Sequence, residues 1–429
     1  MTTSRRIPSL RWWIGGLLFA STVINYIDRQ TLSVLAPYFK RDYHWSNEDF
    51  ALIVISFRVA YAVGQTLCGR LIDRLGTRLG LSLTVSWYSL AAMLTSFANS
   101  LGGFCFFRFL LGAGESGNWP GATKAVAEWF PKRERGWAVA LFDSGSSVGA
   151  AVAPALVVWL YLTYGWRPAF VVIGTLGFMW LALWRWLYHP PQSHPRITDR
   201  ELAMILADKE ESAIGTTTPS RVGWMDLLRL PQTWGLIAAR SLSDPVWFFV
   251  ADWFFVYLKQ DKHIDPAQGL LAAWIPFVGA DLGNFFGGGI SSWLIRRGWP
   301  VGKARKIVIF FGGFGVCLLI PTIFVTNVFG VAALFAMATF SYAAYSTMAL
   351  VLPSDLFQSQ SVASVSGMAG TGAGVCTILA TYLIGYVTDR FSFVPILVAA
   401  SIIPLTGVVL VLTLVRNPRT GEAGILQRF

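Results

Sequence analysis

Charge is scarce in this sequence. Asp, Glu, Lys and Arg make up 13% of its 429 residues, about half the share of a soluble domain. Histidine is rarer still: His44, His189, His194 and His263 all fall in polar loops. The four cysteines, Cys68, Cys105, Cys317 and Cys376, lie far apart in apolar segments. Their spacing makes no metal site and argues against a disulfide framework. There is no P-loop, zinc motif or nucleophile elbow, so neither a nucleotide-driven pump nor another enzyme is indicated, and no cofactor or metal is expected. The basic start, MTTSRRIPSLRWW, leads into a long apolar stretch without a small-residue cleavage site. It is therefore expected to remain as the first span rather than be removed as a signal peptide.

What the sequence has is apolar surface. Hydrophobic residues are 54% of the chain, with 19 Trp and 31 Phe. Segments of about 20 apolar residues, the length that crosses a bilayer, recur from end to end. The expectation is an all-α integral membrane protein with twelve transmembrane helices in two six-helix halves. The spans fall near 13–37, 48–70, 79–98, 101–125, 136–161, 166–188, 232–258, 267–295, 305–326, 328–350, 362–388 and 392–415. The polar stretch 189–231 separates an N-terminal half (1–188) from a C-terminal half (232–429) and is expected to be a cytoplasmic linker. Its middle reads as an amphipathic helix starting at Thr198 or Asp199 and ending near Gly215.

The net charge of +11 is distributed through short loops, which points to membrane topology rather than to nucleic acid. Basic clusters precede span 1, follow span 12 and fill loops 2–3, 4–5 and 8–9. All lie on one side if both termini are cytoplasmic. Lys40 and Arg41 oppose the rule, and the loop PSDLFQSQS carries no basic residue. GRLIDRLGTRLG (69–80) and GGGISSWLIRRGWPVGKARK (287–306) occupy corresponding places after spans 2 and 8. Such parallel repeats build transporters whose sites lie near the midplane.

Charges inside the spans mark a site, because an ionisable group at the bilayer centre costs roughly 2.5–3.5 kcal/mol on insertion scales. Span 4 contains FFRFLLGAGESGNWPG (106–121). Its Arg108 and Glu115 are seven residues apart, on one helical face and about 10 Å apart along the axis. Asn118 follows, and Pro120 removes a helical hydrogen bond. A cation and an acid on one stripe suggest paths for an anion and a proton; a lasting Arg108–Glu115 or Arg29–Glu115 salt bridge is the alternative. In span 1, Asp28 and Arg29 are adjacent, and Asn25 shares a face with Arg29. They read as a protonatable acid beside an anion-binding cation, or as a structural ion pair. In span 2, Arg58, Tyr61 and Gln65 share a face and offer the donors that a hydroxylated carboxylate needs, unless Arg58 neutralises Asp143. Lys124 and Glu128 read as a solvated i, i+4 pair. In span 7, Arg240, Asp244 and Trp247 share a face, and Asp244–Pro245 is expected to break or bend the helix. This segment is either a gate or an interfacial aromatic stretch with a helix-end ion pair. Asp252 and Asp281 are further buried-acid candidates.

These stretches resemble the major facilitator superfamily and, within it, the anion:cation symporters. That family includes bacterial hexuronate and galactonate transporters and animal sialic acid and glutamate transporters. GRLIDRLGTRLG resembles the superfamily's loop 2–3 motif. NYIDRQTLSVLAP, RFLLGAGESGNWPGATKAVAEWFP and FDSGSSVGAAVAP resemble symporter spans 1, 4 and 5. RSLSDPVWFFVADWFF and ADLGNFFGGGISSWLIRRGW resemble spans 7 and 8 of the hexuronate branch. The resemblance implies proton-linked roles for Asp28 and Glu115, and carboxylate binding by Arg29 and Arg108. It implies substrate contacts from Tyr26 and Tyr61, and a cytoplasmic latch of Asp73 with basic neighbours such as Arg74, in the loop that also holds Arg78. Where galactonate transporters have a glutamine in span 5 and an asparagine in span 11, this chain has Ser146 and Thr371, so the hydroxyl pattern read is expected to differ. Arg58 is an additional cation that a dicarboxylate would use.

The function expected is proton-coupled import of a sugar-acid anion, most readily a hexuronate, across a bacterial inner membrane by a monomer. Arg58, Gln65, Asn118, Ser146 and Thr371 join the substrate contacts. Asp73, Arg74, Arg78, Asp244 and Trp247 form the gates. The partners are a small organic anion, protons and the bilayer. An aldarate, aldonate or aromatic carboxylate as cargo, and a multidrug-type proton antiporter, are the alternatives.

Overall fold

The computed structural model describes residues 6–213, 223–262 and 270–416. Gly215 and His263 lie outside the described residues, as does the side chain of Asp252. The described chain is helical and contains no strand. Its helices are α1 (Leu10–Tyr43), α2 (Asn47–Leu75), α3 (Thr77–Thr95), α4 (Leu101–Glu115), α5 (Asn118–Trp129), α6 (Lys132–Tyr164) and α7 (Trp166–Leu187). The linker carries α8 (Asp199–Ala213) and α9 (Trp224–Leu228). The second half carries α10 (Pro231–Gln260), α11 (Leu270–Arg296), α12 (Val301–Gly315), α13 (Val328–Leu356), α14 (Val362–Arg390) and α15 (Val394–Leu414).

The twelve expected spans map onto these helices, with α4 and α5 together forming span 4 and a 3-10 turn extending α12. Seven described helical segments are long and apolar enough to cross a membrane on those criteria alone.

Local chemistry explains three departures from the expected boundaries. Span 4 breaks at Ser116–Gly117, before Pro120. Pro120 falls in the first turn of α5, where an amide hydrogen has no intrahelical acceptor and proline costs little. Conversely, α10 runs unbroken through Pro245, so of the break or bend expected there the break does not occur; a membrane helix tolerates proline where its neighbours satisfy the freed carbonyl. Span 1 continues to Tyr43, so Lys40 and Arg41 occupy its last turn, where the helix dipole favours cations. Arg41 pairs with Asp42, and Lys40 lies over the Phe50 ring. These contacts account for the two charges that oppose the positive-inside pattern.

The chain divides into two compact units. Unit one comprises Met1–Pro131, Leu141–Gly215 and Phe357–Thr371; unit two comprises Lys132–Ala140, Thr216–Leu356 and Gly372–Phe429. Each unit thus includes a short segment from the other half of the sequence. Unit one packs around Ile27, Leu35, Phe39, Phe104, Val157 and Phe170. Unit two packs around Phe249, Phe254, Tyr257, Leu319, Phe335 and Leu397. In unit one the linker is tied to the chain start: Glu201 accepts from the backbone amides of Leu10 and Arg11, capping α1, and bonds the Arg11 guanidinium.

Candidate functional site

Four charged side chains converge inside unit one. Arg29 on α1 donates from Nη2 and Nε to Glu115 Oε2, at 3.0 and 3.2 Å, and from Nη2 to Asn25 Oδ1 at 3.2 Å. Its guanidinium also lies over three rings: Tyr61 at 4.8 Å, Tyr26 at 5.0 Å and Phe57 at 5.1 Å. The rings supply cation–π attraction while excluding water. Glu115 ends α4 and is fully buried. The Arg29–Glu115 bridge is the one formed of the two considered from sequence.

Asp28 and Arg108 complete the group. Asp28 is 1% exposed and Arg108 is 2% exposed. Each lies within electrostatic reach of the other and of Glu115. Arg108 Nε and Nη2, Asp28 Oδ1 and Glu115 Oε1 have no hydrogen-bond partner among the described residues. Buried polar groups are almost always paired, so each exception needs an explanation. Two cations and two acids also balance formally, which lowers the cost of burying any one of them.

The remaining candidates separate into two sets. Tyr26 and Tyr61 lie at the site as ring partners of Arg29. Arg58 is half-buried on α2, and Trp119 Nε1 donates to Asp143 at 3.1 Å. Of the other polar candidates, Asn118 and Thr371 join helices, while Ser146 bonds within its own helix. Asn118 accepts from Ser21 and donates to Thr22, joining α5 to α1. Ser146 donates to the Asp143 carbonyl, one turn back. Thr371 donates to the Ala62 carbonyl at 2.6 Å and lies 2.7 Å from the Thr66 hydroxyl. Gln65 faces Gly370, where an added Cβ would stand 1.7 Å from its Oε1. Only glycine permits that approach.

The expected gates are rearranged. Asp73 is paired with Lys124 at 2.9 Å rather than with Arg74, which is exposed. It also accepts from the backbone amides of Ala363 and Ser364 at 3.3 and 2.7 Å, capping α14. The helix dipole reinforces that contact. Arg78 donates to the Arg185 carbonyl and so ties α3 to α7. Lys124 is buried against Asp73, so the solvated Lys124–Glu128 pair is not formed. Glu128 instead accepts from Thr77 and Tyr188.

In unit two, Arg240 donates to Asp244 at 2.8 Å, and Tyr342 reaches Asp244 at 3.4 Å. Trp247 stacks on Tyr342 with centroids 6.3 Å apart. A second ionic centre there was not anticipated. Asp355 accepts from Arg135 at 3.1 Å and Arg305 at 2.9 Å, all three buried. The sequence signal is a basic residue in each of loops 4–5 and 8–9 and an acid in the loop after span 10, which the structure adds to α13.

Helices of this length, with a balanced ionic cluster sealed inside them, define a membrane carrier. The chain belongs to the Major Facilitator Superfamily, whose family model matches residues 18–320. It is 30% identical over 418 residues to the hexuronate transporter of Escherichia coli (strain K12), covering 96% of each chain. It is 30% identical over 309 residues to the galacturonate transporter of Dickeya chrysanthemi, covering 72% of this chain and 89% of that one. A probable galactarate/D-glucarate transporter of Bacillus subtilis (strain 168) is 28% identical over 401 residues, covering 91% and 88%. Among solved structures, the proton:xylose symporter XylE bound to 6-bromo-6-deoxy-D-glucose superposes with a TM-score of 0.73. That match covers 95% of this chain and 96% of the symporter at 13% identity, and is a likeness of fold.

Proposed function

We propose that this protein is a proton-coupled symporter importing a sugar-acid anion, most readily a hexuronate such as glucuronate or galacturonate. The observation that carries the reading is Arg108, a buried guanidinium with two nitrogens that find no hydrogen-bond partner among the described residues, beside a second arginine held by an acid. A carboxylate satisfies such donors in bidentate fashion. Relatives named for hexuronate and galacturonate supply the substrate class.

The coupling follows from the Arg29–Glu115 bridge. Arg29 is held by an ionised Glu115 while no anion is present. Protonation of Glu115 removes the charge that holds Arg29 and frees its donors for substrate. Substrate carboxylate on Arg29 and Arg108 in turn offsets their positive charge and favours the protonated acid. Asp28, in reach of Arg108, completes a two-acid system. Tyr26 and Tyr61 line Arg29 and are placed to contact the sugar. Asn118 and Thr371 act by fixing helix positions, since their polar groups are taken by neighbouring helices, whereas the Ser146 hydroxyl is held by its own helix and the buried Gln65 Oε1 finds no hydrogen-bond partner among the described residues. Asp73, and Asp244 with Trp247, belong to the conformational cycle.

On this reading the carrier works as a monomer in a bacterial cytoplasmic membrane with both termini inside, a placement that puts the basic clusters of loops 2–3, 4–5 and 8–9 on the cytoplasmic side. It needs no cofactor beyond the proton gradient and has no nucleic-acid partner. An aldarate is the second reading, favoured by Arg58 and by the galactarate/D-glucarate relatives. Uptake into proteoliposomes with an imposed proton gradient tests the proposal. Accumulation of glucuronate or galacturonate that collapses with a protonophore supports it. Transport of cationic dyes in place of sugar acids would overturn it.

A further inference from the structure

Resting on the proton-coupled reading above, the geometry points to Tyr88 as a positioning residue for the two acids: its hydroxyl, with Asp28 and Glu115, frames an internal water site through which they exchange a proton. Tyr88 lies on α3, a helix that supplies none of the four converging charges. It is 1% exposed, and its hydroxyl has no hydrogen-bond partner among the described residues. The backbone explains its location. An added Cβ at Gly114 would stand 2.8 Å from the Tyr88 amide nitrogen and 2.5 Å from Trp87 Cδ1, so α3 and α4 meet directly beside Glu115. Trp87 Nε1 pins the contact by donating to the Leu110 carbonyl at 2.8 Å. On the other side the Tyr88 ring runs along Gly177 of α7, whose added Cβ would lie 3.6 Å from Tyr88 Cε2. The hydroxyl is in electrostatic reach of both Glu115 and Asp28.

The Tyr88 hydroxyl, Asp28 Oδ1, Glu115 Oε1 and Arg108 Nε and Nη2 are all buried without a hydrogen-bond partner among the described residues, and Asp28 and Glu115 are in electrostatic reach of one another as well as of Tyr88 and Arg108. A buried water needs two to four polar partners, and this set offers them. The charged groups bearing on the region are Asp28 and Arg29 from α1 and Arg108 and Glu115 from α4; α7 presents Gly177. A hydroxyl donates to the water or accepts from it as required. The exchange balances: one carboxylic O–H breaks, one forms on the other carboxylate, and the water is regenerated.

The test is Tyr88→Phe, which keeps the ring and removes the oxygen. In proteoliposomes, substrate-driven proton uptake and uphill accumulation should fall roughly threefold to tenfold, the worth of one neutral hydrogen bond. The pH profile of uptake should change, while substrate counterflow and anion affinity are retained. Ser89→Ala removes another buried hydroxyl of α3 without a partner among the described residues, one packed against Gly177, and should leave all five readouts unchanged. Wild-type coupling in Tyr88→Phe, or an equal loss in Ser89→Ala, overturns the inference, as does a parallel loss of counterflow. Glu115→Gln run beside them separates the levels. If it abolishes accumulation while Tyr88→Phe does not, the role of Tyr88 fails alone. If it leaves accumulation intact, the proton-coupled reading beneath it fails.

Discussion

Arg305 in unit two and Arg108 in unit one are equally buried and opposite in satisfaction. Arg305 is 0% exposed and spends every nitrogen: Nε on Asp355, Nη1 on Ser291 and Nη2 on the Lys132 carbonyl. Arg108 is 2% exposed, with two nitrogens unpartnered. A buried guanidinium that is fully bonded has nothing left to offer a ligand. One that is not must gain its bonds from something that arrives. The difference separates structural charge from functional charge more sharply than burial does, and it makes opposite predictions for the two centres.

The largest effect is expected at Asp355. Asp355→Ala leaves Arg135 and Arg305 buried without their acid, and breaking one side of a buried pair costs about 3–5 kcal/mol. Thermal unfolding in detergent should show a large fall, and transport should be lost with the fold. A wild-type melting temperature would place the Asp355 centre outside the stability of unit two.

Arg108→Ala should do the reverse. Binding of the anion, measured by calorimetry, should weaken by about 100-fold, since losing one member of a buried charge pair costs 2–5 kcal/mol. Unfolding should barely change, because protonation of Asp28 or Glu115 relieves the surplus negative charge. Near-normal affinity would remove Arg108 as an anchor. Glu115→Gln sits between them. It releases Arg29 permanently, so counterflow should persist while accumulation against a gradient fails.

A smaller effect distinguishes the Asp73 centre. Asp73→Asn loses the charge facing Lys124 and the α14 N-terminus. About 1–3 kcal/mol is expected, with the dipole contributing up to about 2 in buried geometry. Adding Lys124→Met should recover part of it, because replacing both partners costs less than stranding one. No recovery would mean that the backbone amides of Ala363 and Ser364, rather than Lys124, are the principal partners.

The contrast also shows what was legible in sequence. The twelve spans were, because a bilayer demands about 20 apolar residues whatever the neighbours are. Arg108 and Glu115 stood out as charges in an apolar run. The pairing of Lys124 with Asp73, and of Arg135 and Arg305 with Asp355, was not legible. Those cations sit at span ends, where the topology rule counts them as solvated, and only packing shows that they are buried. Asn118, Ser146 and Thr371 have the chemistry of substrate contacts. The use of Asn118 and Thr371 in helix packing depends on Ser21, Thr22, Thr66 and the Ala62 carbonyl, which no local pattern singles out, while Ser146 simply bonds one turn back in its own helix.

Arg58 sharpens the comparison at its finest grain. It is half-buried on α2, on the helix that carries Tyr61 and Phe57 to the Arg29 guanidinium. If it acts like Arg305, as a bonded structural cation, Arg58→Gln should weaken mono- and dicarboxylates alike. If it acts like Arg108, the substitution should spare glucuronate and weaken an aldarate by about twofold to fivefold, the scale of one exposed-to-intermediate charge contact. Competition of galactarate against labelled glucuronate in the two proteins reads that ratio directly. A selective loss makes Arg58 the residue that recognises a second carboxylate, and an equal loss makes it a structural cation of the same kind as Arg305.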